Sequence, residues 1–164
     1  MTLRPRSDEI LRSVLWSFEE FIVPELTDPY AISVGHTITN LLRHLALRVE
    51  LEPPALFAGN AELRELLADI AGYARADGLT ELAEDLETTL AAAAPAGEYP
   101  SISRLTDDAL ALRGALDRAI RALQAAPSET EEYLELRARI REWIGRALAR
   151  EADWIVPAFS GIRR

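Results

Sequence analysis

The apolar residues of this chain recur with the period of an α-helix in six separate segments, and nowhere do they alternate with period two for long enough to argue a sheet. That periodicity predicts an all-α fold. Behind Ser7, a candidate cap, Leu11, Val14, Leu15, Phe18, Phe21 and Ile22 share one helical face until Pro24 ends or kinks the segment. Leu26-Thr27-Asp28-Pro29 reads as a turn. A second helix is predicted from about Tyr30 to Leu51, with Val34, Ile38, Leu41, Leu42, Leu45 and Val49 facing inward and Pro53-Pro54 stopping it. After a short connection containing Phe57, Asn60 is expected to cap a third helix carrying Leu63, Leu66, Leu67 and Ile70, and Gly78 to close it. Thr80 then caps a fourth, with Leu82, Ala83, Leu86 and Leu90 on its inner side.

Two prolines and a glycine within residues 95–101 mark the best linker in the chain. Beyond it, Leu105, Ala109, Leu112, Leu116, Ala119 and Leu123 follow the alternating four-three spacing of a packed seam, so this fifth helix wants a long partner. Pro127 breaks the chain. Ser128 with Glu131 matches a capping box and opens a sixth helix, which carries Tyr133, Leu136, Ile140, Trp143, Ile144, Ala147 and Leu148 on one side. The predicted architecture is an antiparallel helical bundle of about six helices: an N-terminal bundle over 1–94, the linker 95–101, and a long C-terminal helical hairpin over 102–164 packed with the first part.

Composition narrows the function classes. A formal net charge of −9 makes duplex DNA and anionic membrane poor partners, because phosphate binding needs a basic face. With no cysteine there is no thiolate nucleophile, disulfide, zinc ribbon or iron-sulfur cluster. All eighteen basic residues are arginine, a usage that fits a GC-rich bacterial genome better than a phosphate site. The N-terminus lacks the apolar core of a signal peptide and no stretch is long and apolar enough for a bilayer, so a soluble, cytoplasmic protein is expected.

The second segment has an unusual polar side. At about 100° per residue, Ser33, Thr37, Asn40 and His44 fall within an arc of roughly 60°, with His36 at its border and no charge from Tyr30 to Leu42. Three readings stand: side chains hydrogen-bonded to neighbouring helices, the lining of a ligand pocket within the bundle, or a solvated face. Metal chemistry is not expected, since neither histidine follows the Glu-x-x-His pattern of bundle metal centres and about 12 Å of helix separates them. No nucleophile elbow, phosphate loop or dinucleotide fingerprint occurs, so no catalytic residue and no cofactor is assigned. Trp16 points away from the inferred core. Together with Leu112, Leu116, Trp143 and Trp154 on the last two helices, it is a candidate for an interface, with self-association as a homodimer expected through the hairpin.

Arg4-Pro5, Leu11, the run Ile22-Val23-Pro24-Glu25-Leu26 and the run Leu45-Ala46-Leu47-Arg48-Val49-Glu50-Leu51 resemble a family of small, helical, uncharacterised bacterial proteins. Members are often encoded beside aminoglycoside-phosphotransferase-like proteins and acyl-CoA dehydrogenases. The resemblance covers roughly the first 50 residues, departs at Ile32-Ser33-Val34-Gly35-His36-Thr37, and carries no catalytic motif. It implies an accessory role near acyl-CoA or phosphotransfer metabolism. The residues themselves point to an accessory or protein-interaction protein, or alternatively to a small-molecule-binding bundle or enzyme using the polar side of the second helix.

Overall fold

The computed structural model describes residues 4–93 and 100–159, and within the last helix it leaves the side chains of Trp154 and residues 156–159 undescribed. The regular structure of the described residues is all helical, without a strand, in five α-helices, a π-helical turn and a 3₁₀ turn. Helix α1 spans Ser7–Ser17, and a π-helical turn (Phe18–Ile22) and a 3₁₀ turn (Val23–Glu25) continue it through Pro24. Helix α2 spans Pro29–Ala76, α3 Thr80–Ala92, α4 Ile102–Ala125 and α5 Glu131–Phe159.

Five helices replace the expected six because α2 does not stop at Pro53-Pro54. Proline there removes the amides that would bond the carbonyls of Val49 and Glu50, but the flanking residues are good helix formers and helix runs on through both sides. Asn60 consequently lies inside α2 and caps nothing. Its amide is buried and donates to the Leu105 carbonyl in α4 at 2.9 Å, a tertiary bond in place of the expected local one. Other ends follow from local chemistry. The Asp28 carboxylate accepts from the Ala31 amide to open α2, with Pro29 pre-set for the first turn. Gly78 takes φ +79°, and the Leu79 amide reaches back to the Ala74 carbonyl at 2.7 Å. Ahead of α5 the cap is Thr130, whose hydroxyl accepts from Tyr133, while Ser128 accepts from Thr130. Ser101 caps α4 by accepting from Arg104. Most of the 95–101 linker, through Tyr99, lies outside the described residues.

Contacts divide the chain into two compact units, residues 1–54 with 149–164 and residues 55–148, so α2 and α5 each contribute to both. In the second unit the sequence pattern translates directly into packing. Leu63, Leu67 and Ile70 of α2, Leu86 of α3, Leu112 and Leu123 of α4, and Tyr133 of α5 are sealed in one apolar cluster, bordered by Leu136, Ile140 and Trp143. The Tyr133 hydroxyl donates to the Leu123 carbonyl at 2.8 Å, satisfying one of the orphan acceptors at the end of α4. Asp108 is buried on α4 and joins Arg104 at 3.0 Å and Arg64 of α2 at 3.4 Å.

In the first unit α1 and its following turns run antiparallel to the first half of α2. Arg12 meets Glu50, Glu19 meets Arg43, and Leu26 lies against Gly35, three contacts of one register.

Candidate functional site

Of the six apolar residues expected to face inward from the first half of α2, Val34, Ile38, Leu41 and Leu45 lie off its packed side, and Leu42 and Val49 lie on it. The least exposed side of α2 carries Gly35, Thr39 at 5% exposure, Leu42 and Ala46, small residues for the most part. A Cβ built on Gly35 would stand 2.7 Å from Leu26 Cδ1, so the chain approaches α2 where there is least side chain. About a quarter-turn away, Val34, Ile38, Leu41 and Leu45 recur at four-three-four spacing and are 38% to 55% exposed. On α1 and its π-helical turn, Ile10, Val14 and Phe21 are likewise 47% to 58% exposed, while Leu11, Leu15 and Phe18 are half-buried.

The sequence located the apolar face of each segment, and in the second unit these faces form the core. In the first unit no hydrophobic residue among those described is buried. The described residues that are buried there are Asp8, Gly35 and Thr39. Asp8 is held by Arg6, whose guanidinium donates to both carboxylate oxygens at 2.8 Å. Those hydrogen bonds, outweighing the cost of burial, keep the carboxyl below its ordinary range.

The polar side of α2 faces outward too. Ser33, His36 and Thr37 are exposed, and Asn40 and His44 are half-buried. Thr37 donates its hydroxyl proton to the Ser33 carbonyl at 3.1 Å, the back-bond of a helical threonine. The stripe thus lies together on α2, beside the exposed apolar residues.

The interface candidates separate. Trp16 is 57% exposed and meets Phe21 edge to face, ring centroids 5.2 Å apart. Leu112 at 0% and Leu116 at 4% exposure belong to the core of the second unit, as does Trp143, so within a single chain they are already covered. The Trp154 side chain lies outside those described. Two half-open grooves in the second unit collect none of the stripe. One has Arg137 and Arg141 beside Ile120, Ile140 and Ile144, and the other has Trp143 among Glu62, Glu65 and Arg139. Among the described residues, no three His, Asp or Glu side chains are grouped to hold a metal ion, and no helix is long and apolar enough to cross a membrane.

Sequence reasoning missed the packing side of α2. Its signal was the row of small residues Gly35, Thr39 and Ala46, not the row of large ones. It also missed Asp108, whose carboxylate stands in the four-three seam of α4. No protein-family model matches the chain, and no curated protein or solved structure matches it either.

Proposed function

We propose that this chain is an accessory protein that works by binding other protein chains through the exposed apolar face of residues 7–54, without catalytic chemistry of its own. The observation that carries the reading is the division of apolar surface. Among the described residues the hydrophobic core lies within 55–148, while the first unit presents Ile10, Val14, Phe21, Val34, Ile38, Leu41 and Leu45 to solvent. Apolar helix faces of this extent gain free energy only when something covers them, and contiguous exposed patches mark interaction sites. The uncharged stretch from Tyr30 to Leu42 fits the charge-poor centre of an interface.

The exposure of Ser33, His36 and Thr37 supports a protein surface over an enclosed ligand pocket. We place the protein in the bacterial cytoplasm, with α4 and α5 as an antiparallel hairpin of its scaffold. The likeness of Ile22–Leu26 and Leu45–Leu51 to the helical family described above favours a role beside acyl-CoA or phosphotransfer enzymes.

A photo-crosslinking residue placed at Ile38 in the living host tests the reading. Covalent capture of a protein chain at Ile38, with much less capture from exposed Leu134 in the second unit, is the expected result. Equal or absent capture at the two positions overturns it.

A further inference from the structure

We infer that the occupant of this apolar face is the same face of a second copy of the chain, two α1–α2 hairpins closing antiparallel into a four-helix bundle. The inference rests on the interaction reading above and names its partner.

The face is continuous by construction. In α2 the exposed row lies about a quarter-turn from the buried side in one rotational sense, and in α1 Ile10 and Val14 lie about a quarter-turn from Leu11 and Leu15 in the same sense. Because the two helices are antiparallel, as Arg12–Glu50, Glu19–Arg43 and Leu26–Gly35 establish, equal rotations bring both rows to one side of the hairpin. That side is half of a bundle: two helices, one apolar layer, four-three spacing along α2.

Area and charge point to a second copy. At 38% to 58% exposure, the seven large side chains of the two rows offer roughly 650 Å² per chain, close to the ~800 Å² per partner of a stable interface. The loop end of the hairpin, residues 19–42, holds Glu19, Glu20, Glu25 and Asp28 and no arginine. The open end, residues 4–18 and 43–54, holds five arginines against Asp8, Glu9, Glu50 and Glu52, a balance of +1 against −4. A two-fold axis that runs the hairpins antiparallel sets each acidic end beside the partner's arginine-rich end, whereas parallel hairpins would stack two acidic ends. The antiparallel arrangement therefore keeps the acidic ends of the two chains apart.

Sedimentation of the full chain at tens of micromolar decides the question. The wild type should run as a dimer and the double variant Ile38→Glu, Leu41→Glu as a monomer with undiminished helical circular dichroism. Leu134→Glu, on the second unit, should remain a dimer. A wild-type monomer, or a double variant that stays dimeric, overturns the inference. If the double variant fails to fold, the cysteine-free background supplies the second measurement. Under mild oxidation Leu41→Cys, next to the two-fold axis at the boundary of the two ends, should give a disulfide-linked dimer and Leu134→Cys should not, and equal yields or none from Leu41→Cys overturn the pairing. A monomeric wild type whose Ile38 captures a different host protein in the crosslinking experiment refutes self-pairing alone and leaves the interaction reading standing.

Discussion

Gly35 decides how α2 is used. Helix propensity favours alanine over glycine by about 1 kcal/mol, yet a Cβ here meets Leu26 Cδ1 at 2.7 Å, the far end of a side chain that can rotate. Gly35→Ala is expected to change stability little as the two effects offset. Gly35→Val adds two further carbons on the packed side and should cost about 1 to 3 kcal/mol, read as a lower Tm. An unchanged Tm for the valine variant would mean that the turn after α1 does not rest on α2. Asp8 is the other residue with a readable consequence. Its carboxyl titrates below the unfolded value because Arg6 hydrogen-bonds the charged form, so the pair adds stability above the unfolded pKa and loses it as pH falls through the folded one. Arg6→Ala should move the Asp8 carboxyl resonance to titrate at higher pH by NMR. The stability gap to wild type should then close in acid, below the ordinary carboxylate range.

At the scale of elements, one hydrogen bond ties α5 to the end of α4. The Tyr133 hydroxyl is buried and donates to the Leu123 carbonyl, which the last turn of α4 leaves without a backbone donor. Tyr133→Phe keeps the ring and strands that carbonyl, so unfolding in urea should show a loss of about 1 to 3 kcal/mol with an unchanged m-value. A loss of a few tenths would mean that the carbonyl finds another donor. The proline pair is the opposite case. Pro53 and Pro54 remove two hydrogen bonds from the middle of a 48-residue helix, at the place where contacts divide the chain. Local chemistry predicts a stop, and tertiary contacts of the following residues, Asn60 with Leu105 and Arg64 with Asp108 among them, hold the helix beyond it.

Across the molecule, stability should be as unevenly distributed as buried surface. With the buried apolar cluster of the described residues lying within 55–148, amides of α3, α4 and the core-facing parts of α2 and α5 are expected to be the slowest to exchange hydrogen. Amides of residues 7–54 should exchange faster in dilute protein. Their protection should then rise with protein concentration, because association stabilises only the unit whose surface it covers. Uniform protection of both units at every concentration would show that the first unit needs no partner.

The sequence by itself determined the helical class and the apolar face of each segment, because the 3.6-residue period is a local property that any one helix displays. In the second unit it therefore named the core as well: Leu63, Leu67, Leu86, Leu112, Leu123 and Tyr133 are each where the pattern put them. Only the tertiary structure decided what those faces meet. Val34, Ile38, Leu41 and Leu45 satisfy the same pattern and are exposed, since the packed side of α2 lies a quarter-turn away, where Leu26 closes on Gly35. Periodicity records that a face is apolar. Whether the same chain covers it depends on which side of the helix has room for a neighbour, and that is set by shape across the contact, not by hydrophobicity along the sequence.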